Sequence, residues 1–101
     1  DERLKKNITS LDSEQSLNKV LELSGVSFEW KDTPGKQIGL IAQQVEKVVP
    51  EVIDEKQRPI ADDNTGEVYK RVDYEKLVPL LIESIKELSA KVDELERKLE
   101  A

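Results

Sequence analysis

Apolar residues recur along this chain at three different spacings, and each change of spacing marks a new element. Asp1 to Ile8 is polar and strongly charged, with Leu4 and Ile8 four apart, and predicts a solvated N-terminal arm. Leu17, Val20 and Leu21 then share one side of a helical turn. Asp12 or Ser13 stands where that helix needs a cap, and Gly25 where it needs a stop. Val26, Phe28 and Trp30 alternate with Ser27 and Glu29, the period of a half-buried strand. Asp32-Thr33-Pro34-Gly35 predicts a turn, with a short paired strand at Ile38 before Gly39. Leu40, Ile41, Val45, Val48 and Val49 return to helical spacing, and Pro50 ends that stripe.

From Val52 the spacing changes again. Val52-Ile53 opens one arm, Asp62 to Gly66 makes a turn, and Glu67 to Val72 returns with Val68, Tyr69 and Val72. This predicts a long polar hairpin over about 52–73, whose register its own side chains specify weakly. The last segment is the most regular. Val78, Ile85, Val92 and Leu99 are seven apart, as are Tyr74, Leu81, Leu88 and Leu95, which sets them at the a and d positions of a heptad repeat. Glu87–Lys91, Asp93–Arg97 and Glu94–Lys98 place an acid four residues before a base, an arrangement worth about 0.3–0.5 kcal/mol each. Across a parallel seam Lys91 faces Glu96 of the neighbouring chain. Leu77, Leu80 and Ile82 widen the apolar face near the helix start, where it packs on the rest of the chain, and Pro79 fits in the first turn. The mixture of β-branched residues and leucine leaves two strands and three equally open. An amphipathic helix folded back on its own domain is the competing reading.

Composition narrows the function. A chain of 101 residues has room for one domain, and a net charge of −6 opposes a general partnership with nucleic acid or an anionic membrane. Charged residues make up 38% and aromatics only 4%, so one copy buries a modest core and association with further copies is expected. There is no cysteine for a disulfide or a thiolate nucleophile, and no histidine for the usual general base. No apolar run approaches the roughly 20 residues of a membrane span. Gly35-Lys36 lacks the glycine and hydroxyl residue of a phosphate loop, and Asp62-Asp63-Asn64 with Gly66 and Glu67 lacks calcium-loop spacing and reads as turn chemistry. No cofactor and no metal are expected. Proton transfer here falls to lysine, a carboxylate, tyrosine or a terminal amine, and a lysine serves as a general base when burial lowers its pKa.

Four motifs then carry a resemblance: Asp1-Glu2-Arg3-Leu4-Lys5-Lys6-Asn7-Ile8, Gly25-Val26-Ser27-Phe28-Glu29-Trp30, Gly39-Leu40-Ile41-Ala42-Gln43-Gln44-Val45-Glu46, and Val72 through Glu83. In this order they resemble the C-terminal intramolecular chaperone domain of phage tailspikes, tail fibres and neck appendages, the S74 self-cleaving peptidases of endosialidase type. Residues 54 to 71 match least, and Gln44 stands where the family usually has an acid.

The resemblance implies a domain that ends a homotrimeric fibre, helps the upstream β-structured region of the same polypeptide to fold in the host cytoplasm, and then cuts itself away. It implies a cut between a serine and Asp1, so that Asp1 follows the scissile bond. Lys5 becomes the general base of a Ser-Lys dyad whose serine precedes Asp1, and a fragment without that serine is inactive. Residue pattern and resemblance together predict an α+β fold. Residues 1–73 form a small sheet and helices with the hairpin arm, and 74–101 form a helix in a parallel trimeric coiled coil. Its interface is Val78, Leu81, Ile85, Leu88, Val92, Leu95 and Leu99. The alternative function is a non-catalytic trimerisation cap of a fibrous protein.

Overall fold

The Asp12 carboxylate opens the first helix. It accepts a hydrogen bond from the Gln15 amide at 2.9 Å and so satisfies one of the free N–H groups of α1 (Ser13–Leu21). The computed structural model describes residues 1–57 and 67–101, and the turn expected at 62–66 lies outside them. Ser13, Ser16, Leu17 and Val20 face inward, with Ser16 and Leu17 buried. Leu21, expected on that face, is exposed: it lies about 100° around the helix from Val20, past the edge of the contact. Leu23, beyond the helix end, takes the place against the core instead. Nor does Gly25 stop the helix, which ends at Glu22 in right-handed helical geometry.

Two antiparallel hairpins follow. β1 (Val26–Trp30) has the expected alternation at its start, with Val26 and Phe28 half-buried, and Phe28 packs edge-to-face on Trp30 at 4.9 Å. It pairs with β2 (Thr33–Gly39), which is longer than the short strand expected at Ile38. The turn is only Lys31-Asp32; Thr33 already pairs with Trp30. Pro34 and Gly35 form a bulge between the Trp30–Thr33 and Glu29–Lys36 pairs, where proline has no N–H to donate and Gly35 takes φ +123°. The predicted turn residues therefore bend a strand rather than reverse the chain.

The stripe from Leu40 to Val49 forms a short helix α2 (Ala42–Glu46) and a following turn, with Val45 and Val49 buried and Leu40 and Val48 packed beside them. Ile41 caps α2 and is partly exposed. A 3-10 turn at Pro50–Val52 then leads into β3 (Ile53–Gln57), which pairs with β4 (Val68–Val72) in the register Ile53–Val72 to Gln57–Val68. Asp54 faces Arg71 across the strands at 3.2 Å. The Asp73 amide donates to the Val52 carbonyl at 2.7 Å and closes the foot of the hairpin. Of the expected arm, residues 53–57 and 68–72 are described, as this pair of strands.

After a 3-10 turn at Tyr74–Lys76, α3 (Leu77–Glu100) runs for 24 residues, with Pro79 inside its first turn. Leu77 and Leu80 join Val45, Val49 and Val52 in one core. Ser84 continues the same helix face against α1; its hydroxyl donates to the Leu80 carbonyl at 2.7 Å, as that of Ser16 does to Asp12. The two buried serine hydroxyls are thus each satisfied by a carbonyl four residues back along the chain. Ser13 donates to Glu87 at 2.9 Å and ends this contact. Ile82 points away and is exposed, contrary to its expected place on the core-facing side. The α+β class and the long terminal helix are thus present, as two separate two-stranded sheets rather than one.

Candidate functional site

Two surfaces hold the residues singled out from the sequence. The first is the N-terminal turn. Asp1 caps a 3-10 turn over Glu2–Leu4, its Oδ1 accepting from the Arg3 amide at 2.9 Å. The Arg3 guanidinium grips the same carboxylate, Nη2 on Oδ2 at 2.6 Å and Nε on Oδ1 at 3.1 Å. Leu4 donates to the Asp1 carbonyl and Lys5 to the Glu2 carbonyl, each at 3.1 Å. Lys5 then leaves the turn in extended geometry, and Asn7 takes the left-handed φ of 55°. Every residue from Asp1 to Leu11 is exposed, Lys5 and the apolar Leu4 and Ile8 among them. In the single chain, therefore, nothing removes water from the Lys5 amine.

The second surface is the outer face of α3. Val78, Leu81, Ile85, Leu88, Val92, Leu95 and Leu99 are between 42% and 86% exposed. They stand one residue on from the inner stripe Leu77, Leu80, Ser84 and Glu87, about 100° around the axis. One helix thus serves two faces: an inner one that holds the chain together and an outer one with the heptad spacing. Every residue from Leu88 to Glu100 is exposed. Of the three acid–base pairs, the structure closes Glu94–Lys98 at 3.2 Å, whereas Glu87 turns inward to Ser13.

Tyr74, the first residue of the heptad set, has another task. Its hydroxyl accepts a hydrogen bond from the Leu40 amide at 2.9 Å, and a methyl group on Gly39 would lie 2.7 Å from that oxygen. The tyrosine thereby straps the end of β2 to the start of α3. A second tie was equally unmarked in the sequence: Lys70 on β4 donates to Glu46 on α2 at 2.6 Å. That hydrogen bond is the main reason the Lys70 ammonium titrates above its usual 10.5; partial burial opposes the rise, and the charges of Glu46 and Glu55 add to it. Among the described residues no helix is long and apolar enough to cross a membrane, and no group of three or more acidic or other ligating side chains gathers to hold a metal.

The N-terminal turn, α1, the first hairpin and α2 lie within a stretch that matches a known family. A family model described as chaperone of endosialidase, peptidase S74, matches residues 1–54. The chain belongs to this chaperone-of-endosialidase family. Among curated proteins it is 35% identical over 104 residues to the long tail fiber protein Gp37 of Enterobacteria phage K3, which covers 98% of this chain and 8% of that protein. The Gp37 of Enterobacteria phage T2 is likewise 35% identical, over 98% of this chain and 7% of its own length. The chain thus spans less than a tenth of these relatives.

Proposed function

We propose that this chain is the C-terminal intramolecular chaperone of a phage fibre, acting as a homotrimer and releasing itself by Ser-Lys autoproteolysis at the serine preceding Asp1. The observation that carries the reading is the division of α3 into two faces. The inner face is spent on the chain's own core, while a heptad stripe of seven apolar residues stays uncovered. Parallel association of three such helices through Val78, Leu81, Ile85, Leu88, Val92, Leu95 and Leu99 covers it. Tethering three chain ends in this way brings the upstream strands to an effective concentration of roughly millimolar. It lowers the closure cost of interdigitated β-structure, which must be met before long-range contacts form. The hairpin β3–β4 is the arm laid on that client, and the setting is the host cytoplasm during virion assembly.

For scission, the Lys5 amine takes the hydroxyl proton of the serine. The serine oxygen bonds to the serine's own carbonyl carbon, the C–N bond to Asp1 breaks, and the proton passes to the leaving Asp1 nitrogen. Water then hydrolyses the ester. Assembly supplies the desolvation that Lys5 lacks in the single chain, so cutting reports that three chains have met. Fragment mass checks the position of the cut, which leaves a fragment starting at Asp1.

The test is expression with several tens of upstream residues, intact-mass analysis and light scattering. A three-chain assembly that cuts, and stops cutting on Lys5→Ala with assembly intact, is the expected result. A well-assembled precursor that stays whole sinks the catalytic part. It would leave the rival reading, a non-catalytic trimerisation cap, which draws support from the exposure of Lys5 in one chain.

A further inference from the structure

We propose that Arg3 is a positioning residue for self-scission: its fork on Asp1 holds closed the tight turn that presents the serine before Asp1 to the amine of Lys5. This inference rests on the self-cleaving reading above and adds a residue to it. Lys5 is five residues from the serine before Asp1, which in an extended chain is roughly 17 Å of backbone. Winding Asp1 to Lys5 as a 3-10 turn shortens that part from roughly 14 Å to about 8 Å, which brings the two side chains towards each other. Whether base and nucleophile meet therefore depends on the turn.

The turn has few supports. It contains the two backbone bonds Leu4 to Asp1 and Lys5 to Glu2. Runs this short are poor at holding themselves in water, and residues 1 to 11 are all exposed. What distinguishes this one is the Asp1 carboxylate, which accepts the Arg3 amide and two guanidinium nitrogens together. A bidentate fork between residues two apart orders little extra chain, so it loses less than an ordinary surface pair does to side-chain entropy. Lysine at position 3 would keep the charge but not the planar two-point grip. The left-handed φ of 55° at Asn7 then redirects the chain two residues beyond Lys5.

The experiment uses the full polypeptide, including the residues upstream of Asp1, and follows the first-order rate of self-cleavage by intact mass from pH 6 to 10, with assembly checked by light scattering. Arg3→Gln and Arg3→Lys are expected to slow cutting about three- to tenfold at the high-pH plateau. Asp1→Ala, which removes fork and cap together, slows it more than tenfold. Assembly stays unchanged, and the pH at half-maximal rate does not move. Because Arg3 acts through Asp1, the double variant Asp1→Ala/Arg3→Gln cuts no more slowly than Asp1→Ala alone. Wild-type rates in Arg3→Gln, or an unchanged plateau with a shifted pH midpoint, overturn the assignment; the second outcome would make Arg3 an electrostatic neighbour of the base. A wild-type precursor that assembles yet never cuts removes the self-cleaving reading itself and this inference with it.

Discussion

Leu80 and Leu88 sit on the same helix eight residues apart, yet truncating them should have separable effects. Leu80 is buried in the core with Val45, Val49 and Val52. Leu80→Ala is expected to cost the folded chain about 2–5 kcal/mol, at every protein concentration. Leu88 is 53% exposed in the single chain. Full burial of a leucine is worth about 1.5–3 kcal/mol, so covering the remaining half gains about 1 kcal/mol. A trimer contains three such residues, and Leu88→Ala should weaken assembly by roughly 3 kcal/mol, about two orders of magnitude in the association constant. Light scattering on a dilution series reads the second effect as a rise in the concentration at which trimers form. Urea unfolding at a fixed low concentration reads the first. If Leu88→Ala left the dilution curve in place, the outer face would not be a seam. If it lowered the unfolding midpoint of the single chain as much as Leu80→Ala does, the separation of the two faces would be wrong.

The remaining predictions concern the straps within one chain. Gly39→Ala puts a methyl 2.7 Å from the Tyr74 hydroxyl and 3.2 Å from Phe28. It should lower unfolding stability by about 1–3 kcal/mol. Tyr74→Phe gives up the bond to the Leu40 amide and should cost about 1 kcal/mol. It also removes the clashing oxygen, so the double variant should lose less than the two single losses together, as a thermodynamic cycle would record. Lys70 titrates above its ordinary 10.5 because it donates to Glu46. The folded chain therefore holds that proton more tightly than the unfolded one, and the resulting stability is complete below pH 10.5 and lost as pH rises through the raised value. Thermal melts of wild type against Glu46→Gln should differ near neutrality and converge at strongly alkaline pH; a gap that stays constant would count against the pair.

Much of this architecture could be read in the residues because spacing and burial coincide. The alternation from Val26 to Phe28 and the stripe through Val45 and Val49 marked their elements for that reason. The Asp12 cap was legible because a carboxylate ahead of a helix has one obvious partner. The misplacements arise where local preference met tertiary demands. Pro34 and Gly35 suit a turn and a bulge equally, and only the pairing of Thr33 with Trp30 decides between them. Leu21 and Ile82 carry apolar side chains at the margins of their stripes, where a rotation of a few tens of degrees separates core from water. The Tyr74 strap and the Lys70–Glu46 tie join residues 34 and 24 apart, and no local pattern announces either. In the N-terminal turn, Lys5 was singled out by the family resemblance and not by spacing or composition. Arg3 went unremarked because its partner lies two residues away, a spacing that periodicity does not register.

The distal half of α3 has no inward obligation after Glu87. About 20 Å of helix extends past that last tie, with its side chains exposed. It can accordingly be exchanged for an unrelated heptad peptide of chosen stoichiometry, as one swaps the head of a tool while keeping the handle. The number of partners and the architecture of each become independently adjustable, and grafts that enforce pairs or triplets would present the same body in twos or in threes.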